Sequence, residues 1–322
     1  MFDEACHKTR PPLLICIPTY NRAEQVVRAV RAALAQECND VVVAVIDDAS
    51  TDATEQALQP YISHLNFIYV KLGRNVGTAQ AKNAALALLS FRAITFHDSD
   101  DIPHPQKLLL QSRTLDQPNV KADMCLNWRA IAVEPGSNIE VAAALTEHVL
   151  VAADGSRHHV RRALSLVDDF FPHMQMAAGP PGDWILINSG LFRRDVFHRH
   201  GCFADSVEED REFRNRLIMA GEILWLVDCP LLTKIDSVDS LTVAQQTGYA
   251  SERRAQDRQN IWDSIAKWRS TGQVPHEQLR TGLHIAYASR PEWLSVAPDI
   301  PMTDDARSFL QQQCSRLVSE QI

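Results

Sequence analysis

The sequence has no apolar run near the roughly 20 residues that a membrane-spanning helix needs. Its opening, "MFDEACHKTRPP", has neither the basic start nor the apolar stretch of a secretory leader. The seven cysteines, Cys6, Cys16, Cys38, Cys125, Cys202, Cys229 and Cys314, are scattered, odd in number and form no C-x-x-C pair. That pattern argues against a structural zinc site or a disulfide framework and for a reducing compartment. No block of Lys or Arg is present, and 32 basic against 40 acidic residues leave a net charge of −8. Binding to a nucleic-acid backbone needs a basic face, so no nucleic-acid partner is expected. An anionic ligand would need local positive charge or a metal to overcome that field. G-x-G-x-x-G and the P-loop pattern are both missing, which speaks against dinucleotide oxidoreductases and ATPases. There is no internal repeat and no low-complexity segment. From these absences a cytoplasmic protein, free or peripheral to the inner face of a membrane and with no transmembrane segment, is expected.

What the 322 residues do contain is enough apolar side chain, 45% of the total, for one large core or a domain with an appendage. "LLICIP" and "VVVAVI" are short continuous apolar runs, the pattern of strands covered on both faces. "NFIYVKL" and "RAITFH" read as two further strands. Between them lie helical patterns. In "NRAEQVVRAVRAALAQ", Val26, Val30, Ala33 and Leu34 share a face and Asn21 is a candidate N-cap. "ATEQALQPYI" has Ser50 or Asp52 as candidate caps and is shortened by Pro60, and "NVGTAQAKNAALALLS" reads as amphipathic. Strands alternating with helices predict an α/β fold with a mostly parallel sheet flanked by helices. Ligands of such sheets bind beyond the carboxyl ends of the strands. The four polar motifs "PTYNR", "DDASTD", "GRNVG" and "DSDD" each fall at such an end.

Later segments are less regular. "EILWLVDCPLL" is strand-like, and "EEDREFRNRLIMAG" places Phe213, Leu217 and Met219 or Ala220 on one helical face before Gly221 as a C-terminal cap. Ile261, Ile265 and Trp268 sit at helical spacing, so residues 246–290 are expected to be mostly helical. "MAAGPPGD" reads as a loop that could order on ligand binding.

Each rim motif has a plain and a chemical reading. Asp98, Asp100 and Asp101 either begin a helix, where acids are favoured, or gather around a hard cation bound through oxygen. Tyr20 offers a flat face for a base and Arg22 a donor, or the segment is a capped turn. A carboxylate after the second strand caps a helix or accepts the N3–H of a uracil. His97 packs at a strand end or touches a phosphate. Trp184 stacks on a sugar or packs in the core.

Together, the order and spacing of the four motifs over residues 13–101 resemble the GT-A glycosyltransferases of family 2, inverting enzymes that use nucleotide-diphosphate sugars. The resemblance implies a Rossmann-like GT-A fold with a helical C-terminal extension. It implies a flexible tail over 1–12, a nucleotide-sugar-binding half over 13–130, an acceptor-binding half over 131–242 and a mostly helical extension over 243–322. By the same resemblance Pro18, Thr19, Tyr20, Arg22 and Asp48 hold the uridine. Asn75, Gly77 and Lys82 pass beside the ribose and diphosphate, with Asp98 and Ser99 near the ribose. Asp100 binds Mn²⁺ or Mg²⁺. "NSGLFRRDVFHRHGCFADSVEEDREFRNRL" resembles the acceptor-side segment, which makes Asp210 the catalytic base with Glu209 as the other candidate and brings Gly190 and Trp184 to the acceptor. In "PLLTKIDSVDSLT" the position at which a family His completes the metal site holds Asp236. The implied partners are a UDP-sugar and a saccharide, lipid-linked or small-molecule acceptor. Two other readings remain: a nucleotidyltransferase, disfavoured because "PTYNRAEQ" lacks glycine, and a degenerate nucleotide-sugar-binding or scaffold protein, favoured only by Asp236.

Overall fold

A computed structural model describes residues 11–116, 125–126, 140–160, 189–235, 248 and 251–320. The strands are β1 (Leu13–Thr19), β2 (Val41–Asp47), β3 (Phe67–Leu72), β4 (Ala93–Phe96), β5 (Ile102–Pro103), β6 (Cys125–Leu126), β7 (Ala143–Val151), β8 (Arg157–Val160), β9 (Leu191–Arg193), β10 (Leu224–Ile235) and β11 (Ile285–Ala288). The helices are α1 (Ala23–Leu34), α2 (Thr54–Leu58), α3 (Thr78–Leu88), α4 (Lys107–Asp116), α5 (Arg194–His200), α6 (Glu209–Met219), α7 (Glu252–Thr271) and α8 (Asp304–Ser319). The chain divides into two compact units, one of residues 1–108, 192–203 and 276–322, the other of residues 109–191 and 204–275.

The first unit has the strand order β11-β3-β2-β1-β4-β9. β1 runs parallel to β2 with Leu13 opposite Val41, and parallel to β4 with Leu13 opposite Ala93. β2 runs parallel to β3 with Val43 opposite Phe67. Every residue of β1 and β2 is buried, as unbroken apolar runs require of strands covered on both faces. α1 turns Val26, Ala29, Val30 and Ala33 to the core, and α2 gives way to a 3₁₀ turn over Gln59–Tyr61 at Pro60. Asn21 does not cap α1; it takes a left-handed conformation (φ 51°) and bonds to the loop after β2.

α3 is buried on every face rather than amphipathic. Its alanines allow close approach, and two distant segments cover its outer side. Asn83 exchanges two hydrogen bonds with the Phe203 backbone (2.9 and 3.0 Å), and Ser295 and Ala297 donate backbone bonds to Leu88 and Ala87. Phe91, Phe96, Phe192, Phe197 and Phe203 form one aromatic cluster beside it, with Phe96 and Phe203 edge-to-face at 5.0 Å.

In the second unit β10 runs parallel to β7, from Leu224 opposite Ala143 to Ile235 opposite Val151, with a register shift around Pro230. Proline cannot donate to the ladder. The Thr146 hydroxyl takes up the irregularity by accepting from Leu231 N–H and donating to the Cys229 carbonyl. α6 ends as expected, with Gly221 left-handed (φ 86°) and Glu222 N–H reaching back to Leu217 O. α7 stops at Thr271, capped by left-handed Gly272 (φ 67°), and Pro275 follows. The expected helix over 246–290 is therefore cut at Gly272. Beyond it the chain is mostly irregular, with β11 antiparallel to β3 and a 3₁₀ turn over Pro291–Trp293 before α8. Among the described residues no helix is long and apolar enough to cross a membrane.

Candidate functional site

Within the first unit, hydrogen bonds tie the four strand-end motifs to one another. Asn21 N–H donates to Ser50 Oγ at 2.8 Å, and its Oδ1 accepts from Thr51 N–H at 2.8 Å, joining the β1 end to the β2 end. The short amide of Asn21 tolerates the left-handed backbone that this bridge needs. Asp48 joins the β2 end to the β3–α3 loop, its two oxygens accepting from Val76 N–H (2.7 Å) and Gly77 N–H (2.8 Å). Gly77, at φ 88°, begins α3 in a conformation that side chains rarely take. Arg22 joins the β1 end to the β4 end by donating to Asp100 Oδ2 at 2.8 Å. The parallel register makes this convergence possible, since it brings the carboxyl ends of β1, β2, β3 and β4 to one rim.

Asp47 and Asp48 are neighbours with different duties. Asp47 is fully buried and accepts from Tyr69 Oη (2.6 Å) and Ser50 N–H (2.7 Å). Asp48 has its pKa raised above the ordinary carboxylate value by burial; the two loop amides oppose the rise and the Asp47 charge adds to it. Tyr20 stands 44% exposed, and Asn75 is exposed on the β3–α3 loop. Pro18, Thr19 and Ser99 are buried, and among the described residues the Thr19 hydroxyl has no hydrogen-bond partner.

Asp98, Asp100 and Asp101 each bring a carboxylate oxygen within 4.8 Å of the other two. Asp100 and Asp101 are 7% and 1% exposed, so water screens them poorly. Cations answer this charge. Besides Arg22 on Asp100, Lys107 lies fully buried with its Nζ 3.0 Å from Thr95 Oγ1, and burial brings its pKa down to about 7 against the upward pull of Asp101. His97 is buried and held neutral: burial, then the Lys107 charge, pushes its pKa well below the ordinary value. It packs at the strand end. Three carboxylates offering oxygen alone are a donor set for a hard divalent ion, so the residues present fit Mn²⁺ or Mg²⁺.

Lys82 sits on α3, one turn from Gly77. It is fully buried, with Nζ 5.1 Å and 5.7 Å from the ring centroids of Phe203 and Phe96. In the second unit, Glu209 and half-buried Asp210 open α6, and Asp210 Oδ1 accepts from Arg211 N–H. Just ahead of them Glu208 receives Arg211 Nε (2.6 Å), Arg254 Nη1 (2.9 Å) and Arg258 Nη2 (2.9 Å), bracing α6 against α7. Gly190 is buried beside β9. Trp184, Asp236 and the "MAAGPPGD" stretch lie outside the described residues. The motif reading missed Lys107, Tyr69 and the arginines around Glu208; of these only Arg211 has a partner within a helical turn, and the others act through residues 12 to 50 positions away.

Residues 14–138 match the sequence model of the family described as "Glycosyl transferase family 2". The succinoglycan biosynthesis protein ExoO of Rhizobium meliloti is 40% identical over 98 residues, 30% of this chain and 28% of ExoO. The chondroitin synthase of Escherichia coli is 36% identical over 109 residues, 34% of this chain and 16% of that protein. The matched region thus spans under a third of either relative. Among solved structures, residues 1–349 of S. aureus TarS in complex with UDP-GlcNAc superpose with a TM-score of 0.56 at 17% identity, over 80% of this chain and 66% of that one. The rim network, the family match and the shared architecture converge: residues 14–138 match glycosyl transferase family 2, and the chain has a GT-A fold.

Proposed function

We propose that the chain transfers a sugar from a UDP-sugar to an acceptor hydroxyl, with inversion at the anomeric carbon and with Mn²⁺ or Mg²⁺ as cofactor. The observation that carries the reading is the hydrogen-bonded rim of the first unit, where Arg22 and Asp48 draw the family's four motifs around the aspartates 98, 100 and 101. TarS, which shares the fold, is seen with UDP-GlcNAc, and that supports a UDP-sugar donor.

In this reading Tyr20 lends its exposed ring to the uracil. Asp48 accepts the uracil N3–H, which cytosine does not offer; an ionised carboxylate has about four lone-pair sites, so two loop amides leave capacity. Asn75 and Gly77 border the ribose and diphosphate. Asp98 and Ser99 approach the ribose, while Asp100 and, from the late segment, Asp236 would hold the ion. When bound, the ion supplies Lewis-acid stabilisation to the charge that grows on the departing diphosphate. Asp210 takes the proton of the acceptor hydroxyl, with Glu209 as the alternative base and Trp184 and Gly190 on the acceptor side. Lys82, whose ammonium also lies over the Phe96 and Phe203 rings, stands beside Asn75 and Gly77 on the diphosphate side.

A second reading, a nucleotide binder without turnover, draws on Arg22 already occupying Asp100 and on Asp236 in place of the family's His. UDP release from a panel of UDP-sugars, with and without Mn²⁺, separates the two. The transferase reading expects ion-dependent release that Asp100→Ala abolishes. Tight UDP binding with no release for any donor and acceptor would favour the second.

A further inference from the structure

The C-terminal segment 276–322 lies beyond the family match, yet it is built into the first unit beside the rim. β11 covers the free edge of β3, with Ile285 opposite Leu72 and Ala288 opposite Val70. An exposed strand edge invites pairing with other chains, and covering it is reason enough for such a strand. Here the contact continues past the edge and into the loop that Asp48 holds.

Gly73, the first residue after β3, donates its N–H to the His284 carbonyl at 2.9 Å. The His284 imidazole lies directly over Gly73: a Cβ added there would be 1.9 Å from Nδ1 and 2.9 Å from Cγ. Real Cβ atoms do not approach so closely, so a side chain at position 73 would push the exposed imidazole out of this place. The β3–α3 loop is then fixed at both ends. His284 holds Gly73, Asp48 holds Val76 and Gly77, and the exposed Arg74 and Asn75 are displayed between them. The same segment supports Asp47. Ser289 exchanges hydrogen bonds with the Tyr69 backbone (2.9 and 3.0 Å), the Tyr287 ring lies 6.0 Å from the Tyr69 ring, and Tyr69 Oη donates to Asp47.

We propose that His284 is a positioning residue for the nucleotide: by packing on Gly73 it sets the β3–α3 loop, and through the loop amides it sets Asp48 against the uracil edge. This rests on the UDP-sugar reading above and extends it to a residue outside the family segment.

The test uses the full chain, with UDP and CDP titrated in Mn²⁺ by calorimetry well below Tm. Binding of UDP by the wild type checks the donor reading itself; if the wild type binds none, that reading fails and takes this one with it. Given wild-type binding, His284→Ala is expected to weaken UDP about 3- to 10-fold and to lower the preference for UDP over CDP, with Tm little changed. Gly73→Ala should weaken UDP further by driving the ring away. The double variant, whose new methyl group occupies space vacated by the imidazole, should recover affinity relative to Gly73→Ala. UDP affinity and base preference equal to wild type in His284→Ala would overturn the assignment. So would an affinity loss that follows Tm alone with the UDP-to-CDP ratio unchanged, since His284 would then only cover an edge.

Discussion

The Arg22–Asp100 pair sets a measurable cost on cation binding. The two side chains are 14% and 6% exposed and 2.8 Å apart, so little solvent screens them. An ion entering among the aspartates must displace this guanidinium or share Asp100 with it. A hydrogen bond to a charged group is worth about 1.5–3 kcal/mol net. Since about 1.4 kcal/mol is tenfold in an equilibrium constant, full displacement costs the ion roughly 10- to 150-fold in affinity. Sharing costs less, because the second oxygen of Asp100 stays available, although the positive charge nearby still repels the ion. Arg22→Met should therefore tighten Mn²⁺ binding in the absence of nucleotide by about tenfold or more. Arg22→Lys, which keeps the charge, should stay near wild type, and Asp100→Asn should bind weakly whatever occupies position 22. The loss of the free-ion paramagnetic resonance signal during Mn²⁺ titration reads all four proteins directly. If Arg22→Met binds Mn²⁺ no tighter than wild type while Asp100→Asn is impaired, the guanidinium is not a competitor and this reasoning fails. With UDP present the order should invert, because Arg22 is assigned to the nucleotide and its loss then removes a donor.

Asp210→Asn should leave UDP affinity near wild type and lower the transfer rate by roughly 10²- to 10⁴-fold, the usual contribution of a positioned base; a rate near wild type would move the base elsewhere. Tyr69→Phe leaves the buried Asp47 carboxylate one donor short and should cost about 1.5–3 kcal/mol of stability, read by denaturant unfolding. Burial alone would raise the Glu208 pKa, but Arg211, Arg258 and Arg254 outweigh it and hold the group below the ordinary value of 4.5. A depressed carboxylate contributes stability above its unfolded pKa and loses it as pH falls through the folded one. Wild-type Tm should thus drop as pH falls below 4.5, and Glu208→Gln, less stable at neutral pH by about 3–5 kcal/mol, should show a shallower fall over that window.

How much of this was legible in the sequence follows from the distances involved. β1 and β2 were readable because a strand buried on both faces writes itself as an unbroken apolar run, and β3 and β4 because they follow at the same strand–helix spacing. Their polar ends were readable as a rim because parallel topology leaves the carboxyl ends on one side. The bonds that turn the rim into a site were not readable: Arg22 and Asp100 are 78 residues apart, and nothing local to "YNR" names its partner. β11 escaped notice because four residues, "IAYA", carry too little pattern, and its role comes from the edge it covers. Lys82 makes the point most sharply. On a helix one turn from a glycine-rich loop it reads as a phosphate contact. Nothing local to it announces Phe203, which bonds to Asn83 from 120 residues away and brings its ring to 5.1 Å from the lysine Nζ. A local pattern can nominate residues for a ligand, but the packing around them comes from distant segments, here 192–203 and 276–322, both outside the family match.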